Sequence, residues 1–219
     1  MIVNMWMTSN PVTIVPIATI AEGAALMAKK RVRRLLVVKS KTNDSKLLGI
    51  VSASDILHAF PPDVNPFAVE PRQSPENVLT IQQIMNANPL TVEPDTPIEE
   101  AARLMRAQKI GALPVVRDGK LVGVITESDI FRVFSSFFAS SESGVRITFS
   151  LENREDAFGL IAGLIAGHSI HVLSLFTSVQ ADSPVCVVQL TGHGLDSFLE
   201  AMWKSKHRVL NVLQVLSHD

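Results

Sequence analysis

The stretch "GIVSASD" at residues 49–55 recurs as "GVITESD" at residues 123–129. Each copy contains a glycine, two apolar residues, a hydroxyl-bearing residue and, three positions later, an aspartate. A short apolar run that ends in a hydroxyl and an acid is typical of a buried strand followed directly by a helix. Because a repeated pattern indicates two copies of one structural unit, it decides how the rest of the sequence is interpreted.

The repeat extends to the N-terminal side of each signature. "MTSNPVTIVP" from Met7 matches "MNANPLTVEP" from Met85. Further along each copy, small and apolar residues recur with i, i+3, i+4, i+7 spacing, which predicts an amphipathic helix with one buried face. These positions are Ile20, Gly23, Ala24 and Met27 in the first copy and Ile98, Ala101, Ala102 and Met105 in the second.

Capping signals precede both predicted helices. Thr19 with Glu22, and Thr96 with Glu99, have the hydroxyl-to-carboxylate spacing of a capping box. The second pair is shifted by one residue relative to the first and contains Pro97. We therefore expect each helix to begin just after its threonine.

Two β-like runs follow each helix. The runs "RRLLVV" at 33–38 and "GALPVV" at 111–116 are rich in aliphatic and β-branched residues. Asp118-Gly119 follows the second run and predicts a tight hairpin, whereas the first copy has the longer connection "KSKTNDSK". A further strand then leads into the signature. Each copy is thus predicted to be a β-α-β-β-α unit in a chain of the α/β (α+β) class.

Changes in composition divide the chain into four parts. Five of the twelve prolines fall in one stretch between the copies, so we expect an extended connector there. Beyond the polar "ASSESG", the apolar runs follow the β-α-β-β-α-β order of a ferredoxin-like domain. The predicted boundaries are 1–60 for the first repeat, 61–79 for the connector, 80–139 for the second repeat and 145–219 for the C-terminal domain.

Charge and hydropathy argue against several classes of protein. The chain has 21 acidic and 20 basic residues among 219, which is not the basic excess of a nucleic-acid-binding protein. Its longest apolar stretch, residues 157–167, is about half of the roughly 20 residues that span a membrane. We therefore expect no nucleic-acid partner, no membrane association and a cytoplasmic location.

Catalytic and metal-binding motifs are not visible in the sequence. There is no Ser-His-Asp order, no recognisable pair of catalytic carboxylates and no phosphate-loop lysine, so we expect no enzymatic activity, no catalytic residue and no catalytic cofactor. His168 and His171 straddle one turn and His193 lies in another, but no Cys cluster or HExxH-like pair completes a set of metal ligands, so we expect no metal. Cys186 lies in an alternating apolar run and is expected to be buried.

The repeated signature has two interpretations. In the first, Ser52 or Thr126 caps a helix and Asp55 or Asp129 accepts hydrogen bonds from the first-turn amides. In the second, the same helix start binds phosphate, and the carboxylate accepts the hydroxyls of a ribose. Spacing alone leaves both open.

The paired patterns resemble a tandem pair of cystathionine-beta-synthase (CBS) domains over roughly residues 5–138. The resemblance implies a disc-like module with adenosine compounds, AMP, ADP, ATP or S-adenosylmethionine, bound as regulatory ligands in the clefts between repeats. It further implies that Asp55 and Asp129 hold ribose, that Ser52 and Thr126 approach phosphate, that Thr13, Ile14, Thr91 and Val92 line the base pocket, and that Leu36 and Pro114 enclose the base.

Basic residues make the two repeats unequal. Arg31, Arg33 and Arg34 precede the second strand of the first repeat, where the second repeat has Lys109, Gly111 and Ala112. One hypothesis is that these arginines, Arg34 included, hold a polyphosphate. The other is that they form a solvated basic edge.

The C-terminal part resembles an ACT domain, a small regulatory fold that often binds amino acids at a dimer interface. Asp156 stands where members of that family commonly have a glycine, so a purely structural role is an alternative. The order of two CBS repeats and an ACT-like unit is similar to the acetoin-utilisation protein B family. Phe131, Phe134, Phe137 and Phe138 form a helical stripe that is expected in a core or a dimer interface.

Together these features predict a regulatory protein. An adenosyl ligand would bias the geometry of a homodimer and so signal to a metabolic enzyme partner. The alternative is an assembly module without ligand competence; a nucleotide-hydrolysing enzyme is a third interpretation that we do not expect.

Overall fold

The computed structural model describes residues 1–40, 46–59, 79–137, 143–151, 156–180 and 183–216. These residues belong to two compact units, Met1–Val133 and Phe134–Asp219. All of the predicted connector except Leu79 lies outside the described residues, as does Phe138. None of the helices in the described ranges is long and apolar enough to cross a membrane.

The first repeat follows the predicted β-α-β-β-α order. Its elements are β1 (Thr13–Ile14), α1 (Ile20–Lys30), β2 (Arg34–Val38), β3 (Leu47–Ser52) and α2 (Ala53–Ala59). Strand β1 pairs in parallel with β2, and β2 pairs antiparallel with β3. The core of this repeat contains Ile14, Met27, Leu35, Val37, Val51 and Ile56.

The second repeat has the same order, except that a short helix precedes it and its first strand is reduced to a single bridge. It contains α3 (Ile81–Ile84), α4 (Ile98–Gln108), β4 (Ala112–Arg117), β5 (Lys120–Thr126) and α5 (Glu127–Ser136). The counterpart of β1 is a single parallel bridge between Val92 and Val115. Strands β4 and β5 meet at the predicted hairpin, where Asp118 and Gly119 have φ values of 51° and 75°. Positive φ at both positions is what a two-residue type I′ turn requires.

The two predicted capping boxes have different outcomes. Glu22 N donates to Thr19 Oγ1 at 3.1 Å and Thr19 N donates to Glu22 Oε2 at 2.8 Å, so the first box is confirmed. The second prediction is wrong, because helix α4 begins at Ile98 with Pro97 at the N-cap position and no side-chain cap. The Thr96 hydroxyl instead accepts a hydrogen bond from Glu93 N at 3.0 Å.

Helices α1 and α4 end on residues with left-handed backbone conformations. Arg31 has φ 54° and Lys109 has φ 53°, and the amide of each donates to carbonyls of the preceding turn. Glycine is the usual residue at such a helix end, because a β-carbon is disfavoured there. Both helices therefore have a long cationic side chain, Arg31 or Lys109, at a backbone position where glycine is usual.

The leading segments of the two repeats are exchanged. Thr8 pairs with Val124 of the second repeat, and Asn86 pairs with Ile50 of the first. In the first pair, Thr8 N donates to Val124 O at 2.9 Å and Val124 N donates back at 3.1 Å. Ile81 continues this exchange, since its side chain is fully buried in the core of the first repeat.

The repeated signature glycines make room for these exchanged segments. A β-carbon on Gly49 would lie 2.6 Å from Asn86 O, and one on Gly123 would lie 2.7 Å from Met7 Sδ and 3.0 Å from Thr8 O. No side chain fits at such distances without displacing the neighbouring segment. The glycine thus brings each signature close to the other repeat.

The second unit has the predicted ferredoxin-like order. Its elements are β6 (Gly144–Ser150), α6 (Ala157–Ile165), β7 (Ile170–Gln180), β8 (Ser183–Gly192), α7 (Leu195–Lys204) and β9 (Val209–Val215). The sheet order is β7-β8-β6-β9, with every neighbouring pair antiparallel. Cys186 is fully buried in this core, as predicted, and burial raises the pKa of its thiol to about 11. The mixed α/β architecture, with a CBS-like pair and an additional ferredoxin-like sheet, agrees with the predicted fold class.

Candidate functional site

Two clefts lie between the repeats of the first unit. We name the larger one the arginine cleft; its volume is about 340 Å³. It is lined by Thr8, Asn10, Pro11, Val12, Arg31, Val32, Arg33, Arg34, Leu36, Gly111, Ala112, Val124, Thr126, Glu127, Ser128 and Asp129. The lysine cleft has a volume of about 330 Å³. It is lined by Arg34, Ile50, Ser52, Asp55, Asn86, Pro89, Leu90, Lys109, Ile110, Gly111 and Ala112.

The clefts are built by the same rule with the repeats interchanged. In the arginine cleft, Thr126 and Asp129 of the second repeat face Arg31 of the first. In the lysine cleft, Ser52 and Asp55 of the first repeat face Lys109 of the second. The exchanged segments supply a matching apolar wall, Pro11 and Val12 in one cleft and Pro89 and Leu90 in the other. Each cleft thus combines an acid, a hydroxyl, cations and an apolar wall.

Both signature aspartates cap their own helices. Asp55 Oδ2 accepts hydrogen bonds from Ser52 N and Ser52 Oγ, each at 2.7 Å, and Asp55 N donates to Ser52 Oγ at 3.2 Å. Asp129 Oδ2 accepts from Thr126 N at 3.0 Å and from Thr126 Oγ1 at 2.7 Å. The capping interpretation is therefore correct, and it occupies one oxygen of each carboxylate.

The second carboxylate oxygen differs between the clefts. Asp129 Oδ1 accepts a hydrogen bond from Arg132 Nη2 at 3.0 Å. The same nitrogen donates to Trp6 O at 2.7 Å, and the Arg132 guanidinium lies 5.7 Å from the Trp6 ring centroid. For Asp55, the described residues supply no hydrogen-bond partner to Oδ1, and His58 stands at the sequence position that corresponds to Arg132. Asp55 can therefore accept a ligand hydroxyl directly, while Asp129 would share its oxygen with Arg132.

The Arg34 guanidinium lies at the boundary between the clefts. Arg34 and Gly111 both line both clefts. A β-carbon on Gly111 would collide with Arg34 Nη2, and it would lie 2.7 Å from Glu127 Oε2. The guanidinium is therefore positioned directly over the Gly111 backbone, beside the acid that opens helix α5. A side chain at position 111 would displace the ends of the Arg34 and Glu127 side chains.

Some of the sequence-predicted binding residues lie outside both clefts. Ile14 and Val92 are buried, at 3% and 5% exposure, and Ile14 belongs to the core of the first repeat. Thr91 and Val92 border a separate cavity of about 430 Å³ with Glu93. Thr13, Ile14, Thr91, Val92 and Pro114 are not among the residues that line either cleft, whereas Leu36 lines the arginine cleft. Their contribution to binding stays a prediction.

Two apolar residues and one contact at the clefts were not predicted from the sequence. Val12 lines the arginine cleft in place of Thr13 and Ile14. Leu90 lines the lysine cleft in place of Thr91 and Val92. Both residues come directly before the positions that the resemblance implied, and they reach the clefts because the leading segment of each repeat pairs with the other repeat. The contact between Arg132 and Trp6 joins residues 126 positions apart and has no local signature.

A family model described as CBS domain matches residues 3–62 and 81–136, which together are more than half of the chain. The chain belongs to the CBS domain family. Among curated proteins, this CBS pair is 37% identical over 100 residues to a CBS domain-containing protein of Dictyostelium discoideum, covering 45% of this chain and 67% of that protein. It is 34% identical over 135 residues to a homoserine O-acetyltransferase of Methanohalobium evestigatum, covering 58% of this chain. The match spans only 24% of the length of that acetyltransferase.

Solved structures also resemble this chain over part of its length. The CBS domain pair of protein MJ0100, in complex with 5′-methylthioadenosine and S-adenosyl-L-methionine, is 28% identical, with a TM-score of 0.51, and the match covers 62% of this chain and 97% of that chain. CBSX2 in complex with AMP is 29% identical, with a TM-score of 0.51 and coverage of 63% and 98%. An acetoin utilization protein from Vibrio cholerae is 31% identical, with a TM-score of 0.50 and coverage of 63% and 93%.

Proposed function

We propose that this CBS pair is a regulatory sensor that binds an adenine nucleotide, or a related adenosyl compound such as S-adenosylmethionine, in the arginine and lysine clefts. The observation that carries the proposal is the repeated construction of the clefts, each of which places an aspartate of one repeat opposite a cation of the other. Adenine, ribose and phosphate together need an apolar wall, an acceptor for the ribose hydroxyls and cationic donors. The AMP and S-adenosyl-L-methionine complexes of the neighbouring structures support this ligand class.

The carboxylates are proposed to hold the ribose. Asp55 Oδ1 would accept a ribose hydroxyl in the lysine cleft without breaking the cap, which uses Oδ2. In the arginine cleft, the ribose would compete with Arg132 for Asp129 Oδ1. Leu36 and Val12 supply apolar surface for the base in the arginine cleft. Thr13, Ile14, Thr91, Val92 and Pro114 would act on the base pocket from the strands and segments behind it.

The cations are proposed to hold phosphate. The hydroxyls of Ser52 and Thr126 donate to the aspartates, so either hydroxyl would have to rotate to reach a phosphate. Arg31, Arg33 and Arg34 line one cleft, and a guanidinium binds phosphate with two parallel hydrogen bonds. The arginine cleft is therefore the better candidate for ADP or ATP.

The signal would pass through a homodimer to a metabolic enzyme. Phe131 and Phe134 on α5 are 72% and 62% exposed, which supports a second copy packing on this helix. Ligand binding would shift the dimer by unequal affinity for two arrangements. The ferredoxin-like unit is proposed to be ACT-like and to serve assembly, since Asp156 caps helix α6 with a hydrogen bond from Phe158 N at 3.1 Å. We further propose that the protein is cytoplasmic and not an enzyme.

An assembly module without a ligand is the second candidate. It is favoured by the capping hydrogen bonds, because these give each signature a structural role that needs no ligand. In that case, the clefts would be only the junction of two repeats.

Thermal unfolding with AMP, ADP, ATP and S-adenosylmethionine separates the two candidates. A ligand that binds the native state raises the unfolding temperature. At a concentration one hundred times its dissociation constant, it stabilises the folded protein by about 2.7 kcal/mol. The double variant Asp55→Ala with Asp129→Ala should abolish the shift. Glu22→Ala is the matched control, because it breaks a capping box in helix α1 that borders neither cleft. No shift with any of the four compounds would favour the assembly module.

A further inference from the structure

One arginine borders two binding sites. Arg34 opens strand β2 of the first repeat and lines both the arginine cleft and the lysine cleft. The equivalent residue of the second repeat is Ala112, which has no charge to offer. The pair therefore has one guanidinium that borders both clefts, where an internally symmetric pair would have two.

The surroundings of Arg34 permit it to serve either cleft. Its guanidinium lies over Gly111, which lines both clefts and has no side chain to hold the arginine on one side. A β-carbon on Gly111 would lie 2.7 Å from Glu127 Oε2, so this carboxylate also borders the backbone position over which the half-buried Arg34 side chain lies. The other cations differ: Arg31 and Arg33 line only the arginine cleft, and Lys109 lines only the lysine cleft.

We propose that Arg34 is a shared phosphate ligand and makes the two clefts antagonistic. This inference rests on the proposed function. When a phosphate-bearing ligand fills the arginine cleft, Arg34 joins Arg31 and Arg33 on its phosphate. The lysine cleft then keeps Lys109 as its cation, and its affinity for a second phosphate-bearing ligand falls. Linkage requires the reverse effect to be equally large.

The antagonism depends on the ligand's charge. A ligand without phosphate, such as adenosine, makes no demand on Arg34 and should fill each cleft independently of the other. A hydrogen bond to a charged group is worth enough to change affinity about tenfold or more. Two sites that are independent for adenosine and antagonistic for AMP would let the protein distinguish the phosphorylated compound from its nucleoside by occupancy.

Isothermal titration with AMP, with the arginine cleft blocked, tests the sharing. Asp129→Ala removes the proposed ribose acceptor, and Val12→Trp fills the same cleft while leaving the capping box intact, so a folding defect in one variant leaves the other usable. In either variant, we expect the lysine cleft to bind AMP about tenfold more tightly than it does as the second site of the wild-type protein. The Lys109→Ala variant should weaken the lysine-cleft step and leave the arginine-cleft step unchanged, which identifies the two steps.

Removing Arg34 provides the decisive comparison. Adding Arg34→Ala to the blocked variant should return AMP affinity to the value of the wild-type second step. Adding Arg33→Ala instead should change nothing, because Arg33 does not line the lysine cleft. Adenosine should bind the lysine cleft equally with the arginine cleft blocked or open.

Three results would overturn the sharing: an AMP affinity that blocking does not change, a gain that survives Arg34→Ala, or the same gain with adenosine. Two independent AMP sites would refute the antagonism and leave the proposed function standing. A wild-type protein that binds neither AMP nor adenosine would refute the proposed function, and the antagonism with it.

Discussion

Arg132 donates a hydrogen bond to the carbonyl oxygen of Trp6 at 2.7 Å, and its guanidinium lies 5.7 Å from the indole ring centroid. The same side chain pairs with Asp129 Oδ1 at 3.0 Å. The proposed ribose acceptor of the arginine cleft is thus connected through one cation to the N-terminal segment. The lysine cleft has no such arginine, because position 58 is a histidine.

Ligand binding in the arginine cleft should change the fluorescence of Trp6. A ribose that takes Asp129 Oδ1 alters the position of the cation beside the indole ring. In a Trp203→Phe background, where Trp6 is the remaining tryptophan, we expect saturating AMP to change the emission intensity or wavelength. Asp129→Ala should remove the response, whereas Asp55→Ala should keep it. A response of equal size in the Asp129→Ala variant would show that Trp6 does not report on this cleft.

Glycine at the left-handed helix ends should stabilise the protein and weaken phosphate binding. Lys109 has φ 53°, a conformation that costs an ordinary residue about 1 kcal/mol more than glycine. We therefore expect Lys109→Gly to raise the free energy of unfolding by up to about 1 kcal/mol in urea titrations. The same variant should bind AMP in the lysine cleft less tightly, since it loses the cation.

Helix α1, which also ends on a left-handed residue, supplies the control for this effect. Lys30 is the last residue of that helix and precedes Arg31, whose φ is 54°. Lys30→Gly should destabilise by about 0.5–1 kcal/mol, because glycine in a helix is less favourable, while Arg31→Gly should stabilise. If Arg31→Gly and Lys109→Gly both lowered the free energy of unfolding, the backbone explanation would be wrong.

A methyl group at either signature glycine should destabilise the repeat pair. Gly49→Ala would place a β-carbon 2.6 Å from Asn86 O, and Gly123→Ala would place one 2.7 Å from Met7 Sδ. Overpacking of this kind costs about 1–3 kcal/mol, and we expect the greater loss at Gly49, where a backbone atom must move. Gly163→Ala in helix α6 meets no atom within 4 Å and should be neutral or stabilising in the same unfolding assay.

Cys186 should be unreactive in the folded protein. Burial raises the pKa of its thiol to about 11, from a reference value of 9.0. A thiol-specific reagent at pH 8 should therefore modify Cys186 only after denaturant is added. The pKa of this thiol is higher in the folded protein than in the unfolded chain. The stability that the buried thiol contributes is therefore fully present below pH 9 and is lost as the pH rises toward 11. A Cys186→Ala variant should lack this alkaline loss.

Local sequence signals predicted local structure well. Asp118-Gly119 predicted the hairpin because both residues tolerate the positive φ that a tight turn needs. Thr19 and Glu22 predicted a helix start for a similar reason, since both capping partners lie within one turn. The Thr96 prediction was wrong because Pro97 occupies the N-cap position and the Thr96 hydroxyl accepts a hydrogen bond from Glu93 N instead.

The clefts were only partly predictable, because they depend on long-range pairing. The signature placed Asp55 and Asp129 at helix starts, and the basic run drew attention to Arg34. Nothing in either repeat's own pattern indicated that its leading segment would cross to the other repeat. That crossing brings Val12 to the arginine cleft and Leu90 to the lysine cleft. Their inclusion therefore follows from tertiary structure alone.

The exchange of leading segments also determines which part of the chain can be transferred to another protein and still fold. The first repeat is completed by Ile81 from its twin, and the second is completed by the bonds that Val3 and Thr8 make to Thr96 and Val124. A gene fragment that encoded one repeat would leave that repeat without its closing segment unless two copies traded theirs. The indivisible module in recombination, and in engineered fusions, is accordingly the duplicated pair.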